Sequence, residues 1–126
     1  MALTVTRQAL AHMLAEAERA HPHEACGLLL GQGGRITANV HPEPARFFEI
    51  DPQALIDAHR SARSGGVDLI GYYHSHPVGP PEPSATDRAQ GTGDDRVWAI
   101  VGERTIRFWR DTKDGFEPLS YVADDG

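Results

Sequence analysis

Asp68-Leu69-Ile70-Gly71-Tyr72-Tyr73-His74-Ser75-His76-Pro77 is the stretch on which the reading of this chain turns. Residues 68–74 are apolar and aromatic enough to read as a central strand. Side chains two apart in an extended segment point to the same side, so His74 and His76 present two imidazoles together at the strand's end. Pro77, Pro80, Pro81 and Pro83 then stiffen the loop that leaves the sheet. Ser84 follows as a helix cap, with Asp87 in the first turn of a short helix running to about Gln90.

Working outward from this stretch, Thr6 is placed to cap a helix over 7–20 that Pro22 terminates. Leu10, Met13, Leu14 and Ala17 form its apolar stripe, and Glu16, Glu18 and Arg19 are expected to face away. Strands are expected over 25–30, 35–40 and 46–50. Asp51-Pro52 pairs an N-cap with a proline at the first helical position and opens a second main helix. That helix turns Leu55, Ile56 and Ala62 inward and ends at Gly65-Gly66. Downstream, strands over 97–101 and 105–109 are expected to turn through Gly102, and Asp114-Gly115 to lead into a last strand over 116–122. The pattern is one α/β domain with a mixed, mainly antiparallel sheet flanked by two main helices. It lacks the strict alternation of a doubly wound fold. The domain is expected to fill residues 1–126, with about 123–126 as a disordered tail.

Composition narrows the function. A chain of 126 residues suits one domain, and 40% apolar residues are too many for a disordered chain. Twelve basic against 18 acidic residues give a net charge of −6. That charge offers no drive toward phosphate backbones or anionic membranes, so nucleic acid and membrane are not expected partners. The single cysteine, Cys26, excludes an internal disulfide and any Cys-rich zinc finger. No apolar run is long enough to span a bilayer, and the N-terminus has no secretory pattern. The expected compartment is the cytoplasm.

The chemistry concentrates at His74, His76, Ser84 and Asp87. Two imidazoles and a carboxylate suit Zn²⁺ and leave a fourth position for water, as a catalytic rather than a structural site does. Each part has a plainer reading alone. A His-x-His pair is most often solvated, and Ser84 with Asp87 is economically a helix cap with an acid at its third position. The loop over 78–83 is equally a stiff connector or one wall of a substrate groove. Cys26 reads as a buried structural thiol. His12, His21, His23, His41 and His59 carry no clear signal, and Tyr72 and Tyr73 read as strand residues with one ring inside.

Taken jointly, His74-Ser75-His76-Pro77 and Ser84-Ala85-Thr86-Asp87, separated by seven residues from His76, resemble the His-x-His-x(7)-Ser-x-x-Asp signature of the JAMM (MPN+, JAB-domain) metalloproteases. His23-Glu24-Ala25-Cys26-Gly27-Leu28-Leu29-Leu30-Gly31 is similar to the family's upstream glutamate segment. Phe48-Glu49-Ile50-Asp51-Pro52 and Gly71-Tyr72-Tyr73 resemble further pieces of its compact prokaryotic members. The resemblance implies a cytidine-deaminase-like fold of MPN type and one Zn²⁺ per chain on His74, His76 and Asp87. It implies Glu24 as general base and Ser84 as an oxyanion donor. Spacing alone would leave Glu24, 50 residues before His74, a solvated glutamate.

The implied activity is hydrolysis of a peptide or isopeptide bond after the C-terminal Gly-Gly of a ubiquitin-like or sulfur-carrier protein, by Glu-assisted attack of zinc-activated water. Relatives commonly oligomerise, so a homo-oligomer is compatible with the resemblance. Two other classes compete: a non-catalytic MPN-type scaffold, whose members characteristically lack the ligands kept here, and a branch of the fold linked to DNA repair. A zinc nucleoside deaminase is excluded, because its Pro-Cys-x-x-Cys half needs two cysteines.

Overall fold

The computed structural model describes residues 3–33, 35–40 and 68–125. The expected strand over 46–50 and the helix opened by Asp51-Pro52 lie outside these residues, as do His41 and His59.

The chain begins with a short strand that the sequence pattern does not announce, β1 (Leu3–Thr6), and runs directly into α1 (Arg7–Ala20). Thr6 ends the strand and starts the helix, its hydroxyl oxygen accepting a hydrogen bond from the Ala9 N–H at 3.1 Å. β2 (Cys26–Gln32), β3 (Arg35–Val40), β4 (Asp68–Ser75), α2 (Ala85–Gln90), β5 (Val97–Gly102), β6 (Thr105–Thr112), β7 (Gly115–Leu119) and β8 (Tyr121–Asp124) follow. The eight strands form one sheet in the order β7-β6-β5-β4-β2-β3-β1-β8. β1 pairs in parallel with β3 and β8, and β4 with β5; the other pairings are antiparallel. The mixed, mainly antiparallel sheet expected from the sequence is the one found.

The expected last strand over 116–122 is instead two strands at opposite ends of that order. Only Ser120 separates β7 from β8. Laid flat, eight strands would put these edges roughly 34 Å apart, and one residue spans about 3.5 Å. The sheet must therefore curl until its edges meet. Ser120 O accepts a hydrogen bond from Leu3 N at 2.9 Å, and Phe108 packs on Tyr121 with ring centroids 4.8 Å apart across the seam. The tail expected to be disordered from about 123 is drawn into this closure. Ala123 and Asp124 pair with Val5 and Thr6 of β1, and Asp124 accepts a forked hydrogen-bonded ion pair from Arg35 at 2.8 and 3.0 Å.

α1 packs Ala9 and Met13 into a core with Val5, Leu29, Ile36, Tyr73, Ala99, Val101 and Phe108. Leu10, Met13 and Ala17 of the expected stripe pack on this core, but Leu14 is exposed and Glu16 is buried. Positions 9, 13, 16 and 20 keep the same helical spacing. Arg19, 2.6 Å from the Glu16 carboxylate, lets this acid lie on the inner edge of the helix. Glu103 and Arg104, both with positive φ, form the turn after β5, where Gly102 was expected to make it. Gly102 itself is still in the strand and pairs with Thr105.

The opposite face of the sheet carries Trp98, Ile100 and Trp109, packed by Tyr72 and Phe116. β5 is thus buried on both faces, as a central strand with a parallel neighbour usually is. Its register with β4 places Tyr72 beside Trp98 and His74 beside Ile100. His74 stands edge-on to the Trp98 ring at 5.7 Å between centroids, so the end of β4 opens on the aromatic face.

Candidate metal centre

Strand alternation and a parallel neighbour put the two histidines where the sequence pattern expected them. His74 is the penultimate residue of β4. His76 lies just past its end, with its N–H donated to Val101 O at 2.7 Å. Their Nε2 atoms are 3.3 Å apart. The proline loop then returns the chain, and Ser84 caps α2. Its hydroxyl accepts from Asp87 N at 3.1 Å, while Asp87 Oδ2 accepts from Ser84 N at 2.8 Å. The plain capping-box reading is therefore realised. The same Asp87 carboxylate also faces the histidines: Oδ2 is 3.0 Å from His76 Nε2 and Oδ1 is 3.1 Å from His74 Nε2. One residue serves as both helix cap and site group.

Glu24 arrives from the other side. It lies just before β2, outside the strand, and antiparallel pairing aligns Cys26 with His74. Ser75 fixes that junction: its hydroxyl oxygen accepts from Ala25 N at 2.8 Å and its N–H donates to Ala25 O at 2.9 Å. Fifty residues of sequence thereby become one contact. Glu24, His74 and His76 each offer a ligand atom within 4.8 Å of the others. Ser75, singled out only as part of the motif, has this positioning role. No spacing rule could reveal it, because its partner is a backbone amide on another strand. Cys26 is buried. His21 and His23 are exposed, and His23 reaches the edge of the cleft described below.

The donor set fits a tetrahedral zinc ion. With bonds of about 2.0–2.1 Å, two ligands of such an ion stand roughly 3.3–3.4 Å apart. His74 Nε2 and His76 Nε2 stand 3.3 Å apart, at that spacing, and each faces a different oxygen of the Asp87 carboxylate, His74 at 3.1 Å from Oδ1 and His76 at 3.0 Å from Oδ2. His76 Nδ1 is 2.9 Å from Pro80 O, and a carbonyl can only accept, so Nδ1 carries a proton. In the neutral ring this leaves an Nε2 lone pair pointed at other electron-rich atoms, an arrangement that a cation or a second proton relieves. Asp87 is fully buried, and its Oδ1 has no hydrogen bond among the described residues.

Electrostatics separate the two carboxyls. Burial works to raise the Asp87 pKa, but the two imidazoles and the Ser84 N–H outweigh it and hold this group well below the usual carboxylate range. Burial pushes Glu24 up to about 7, helped by the Asp87 charge and opposed by His76. Burial also lowers His74 against the pull of Asp87. His76 is raised, chiefly by its hydrogen bond to Asp87.

Glu24 and His76 line a cleft of about 810 Å³ bounded also by Pro22, Val78, Pro83 and Ser84, with His74 and Asp87 buried behind it. Val78, Pro80 and Pro83 of the loop over 78–83 line this cleft, and the same loop carries the chain to Ser84 and Asp87. The Ser84 hydroxyl accepts the Asp87 N–H and borders this cleft.

A curled mixed sheet whose central strand ends in two imidazoles, faced by one strongly acidic carboxyl and one raised toward neutrality, gathers residues that could hold a divalent metal. Residues 6–112 match the family described as prokaryotic homologs of the JAB domain. A desampylase of Haloferax volcanii is 35% identical over 113 residues, 82% of this chain and 80% of that protein. A probable TtuB-protein conjugate cleaving protease of Thermus thermophilus is 41% identical over 81 residues, 61% of this chain and 52% of the relative. A solved structure of a Desulfitobacterium hafniense protein superposes with a TM-score of 0.79 at 26% identity, over 98% of this chain and 93% of the other. The chain belongs to the prokaryotic JAB-domain family.

Proposed function

We propose that this protein is a zinc-dependent peptidase or isopeptidase that cleaves after the C-terminal Gly-Gly of a ubiquitin-like or sulfur-carrier protein. The observation that carries the reading is the convergence of His74, His76 and Asp87 donor atoms at 3.0–3.3 Å, with Glu24 beside them in an open cleft. The relatives named as a desampylase and as a conjugate-cleaving protease support the substrate class.

In this reading His74, His76 and Asp87 hold one Zn²⁺, which supplies a Lewis acid and brings the pKa of water toward ~7 when bound. Glu24, poised to take up a proton near neutral pH, accepts one from the attacking water as oxygen bonds to the scissile carbonyl carbon. It returns that proton to the amine nitrogen as the C–N bond breaks. The Ser84 O–H donates to the oxyanion while its lone pair stays on the Asp87 N–H. The loop from Pro77 to Pro83 supplies a stiff wall that lowers the ordering cost of an extended tail. Absence of side chains in a Gly-Gly tail suits a cleft in which base, metal and hydroxyl crowd one carbonyl.

No helix among the described residues is long and apolar enough to cross a membrane. We place the enzyme in the cytoplasm, working as one domain. Elemental analysis of the purified protein with Asp87→Ala alongside tests the centre. Near-stoichiometric zinc in the parent and none in the variant is expected, followed by cleavage of a Gly-Gly-tailed ubiquitin-like fusion by the parent alone. A parent that takes up no zinc after supplementation would return the chain to the scaffold class.

A further inference from the structure

The loop that walls the cleft is held from behind. Pro77, Pro80, Pro81 and Pro83 bring no N–H to it, so much of its fastening must come through its carbonyls and its packing. The β5–β6 hairpin provides both. Trp109 on β6 donates its indole N–H to Pro81 O at 3.2 Å. Gly102 at the end of β5 lies flat under the adjoining peptides: a Cβ there would sit 2.8 Å from Gly79 O, Pro80 C and Pro81 N. Arg107 braces the pair, its guanidinium 5.0 Å over the Trp109 ring and 3.3 Å from the Glu82 carboxylate on the same loop. The carbonyl between these fastenings is that of Pro80, which accepts the His76 Nδ1 proton at 2.9 Å.

We propose that Trp109 and Gly102 are positioning residues for the metal centre. By holding the Pro80 carbonyl against His76 Nδ1, they keep the His76 Nε2 lone pair aimed at the ion site. Neither touches a candidate ligand atom. Their influence travels through two adjacent peptide carbonyls, and it accounts for a buried tryptophan whose indole N–H points to a loop rather than into its own sheet. The proposal rests on the metal reading above. It adds to it a remote determinant of ion affinity, carried by the one ligand whose ring lies outside regular structure. Orientation of a ligand histidine by such an outer partner is commonly worth about 10–100-fold in affinity.

The test uses the full chain and zinc itself. Trp109→Phe keeps the ring and its stacking but deletes the N–H. Gly102→Ala pushes the peptide plane away. Met13→Ala, in the core under α1, serves as a control that loses stability without touching the loop. Zinc dissociation constants come from competition with a chromophoric chelator. Ring ¹⁵N shifts of His76 in the metal-free protein, at alkaline pH where the ring is neutral, report which nitrogen holds the proton. Trp109→Phe is expected to weaken zinc binding about tenfold and Gly102→Ala at least as much. Both are expected to convert a single Nδ1–H form of His76 into a mixture, while Met13→Ala changes only the melting temperature. Unchanged zinc affinity and an unchanged His76 tautomer in Trp109→Phe would overturn the proposal, leaving the indole a structural fastening alone. If the parent binds no zinc, the metal reading fails, and the tautomer comparison still decides whether the hairpin positions His76. Should one variant not fold, the other carries the same test.

Discussion

Two carboxyl groups face the same pair of histidines from opposite sides and are held in contrasting ways. Asp87 is locked: it sits at the third position of a capped helix, takes the Ser84 N–H at 2.8 Å, and is closed to solvent. Glu24 is half-buried and fixed through its backbone, because Ser75 bonds both the N–H and the carbonyl of Ala25 next to it. The pinned acid stays ionised far into the acid range, whereas the other is pushed to about 7. Environments that drive neighbouring acids apart in this way suit them to different work, one as a permanent anion and, in the proposed reaction, one as a proton carrier.

The strongest way to break the contrast is to remove the permanent anion. Asp87→Ala deletes a charge wedged between two imidazoles and half of a capping box, so zinc affinity should fall more than about 100-fold and activity should reach background. Asp87→Asn sharpens the point: it keeps an oxygen for the Ser84 N–H, and should preserve the melting temperature better than alanine while still losing the metal. Zinc retained at full occupancy in both would remove Asp87 from the ligand set. Glu24→Gln comes next. It should keep the zinc and cost roughly 10²–10⁴ in turnover, read as kcat on a Gly-Gly-tailed fusion. Equal losses of metal and activity would place Glu24 with Asp87 and erase the division of roles.

Ser84 follows the two acids in the expected size of effect. Its lone pair serves the helix, and with its O–H proposed to serve the cleft, Ser84→Ala should lower kcat on the order of a hundredfold and stability by about 1 kcal/mol. A loss of stability with kcat unchanged would assign the hydroxyl to the cap alone.

The Asp87 side of this comparison was more legible in sequence than the Glu24 side, for a physical reason. His74, His76, Ser84 and Asp87 lie within one strand-loop-helix passage, where period-two alternation and capping spacing act locally. Glu24 meets them through antiparallel register and the Ser75–Ala25 hydrogen bonds, which no local pattern encodes. Resemblance to a known family, and not spacing, singled it out. The same division holds for the fold. Thr6, α1 and the strands of the sheet's middle carry strong local signals, whereas β1 and the edge strand β8 are four-residue strands whose order comes from each other and from Arg35. The single strand expected over 116–122 failed because a lone residue, Ser120, hides a change of edge that only the curling of the whole sheet permits. Along α1 the stripe of Leu10, Met13 and Ala17 was legible, and only the margin was missed: Arg19 lies within reach of Glu16, so an acid takes an inward position while Leu14 faces out.

The subtlest expected effect separates the two acids by stability in the metal-free protein. Glu24 titrates near 4.5 when unfolded and at about 7 in the fold. Between these values the folded state binds more protons than the unfolded one, so stability falls as pH rises through this window, and the full cost of a desolvated charge remains above it. Asp87 has the opposite sign. Its folded value lies below the ordinary 3.8, so its contribution is complete above that pH and is lost as pH falls through the folded value. Glutamine at position 24 has no charge to desolvate. Glu24→Gln should therefore melt close to the parent near pH 4.5 and roughly 2–5 °C higher at pH 8, while Asp87→Asn should flatten only the acid limb. Thermal melts of the chelated proteins from pH 8 down into the acid range below 3.8 measure both slopes. Parallel curves for parent and Glu24→Gln would mean that the fold does not strain this carboxylate, and that its fitness as a base must then come from the bound ion rather than from burial.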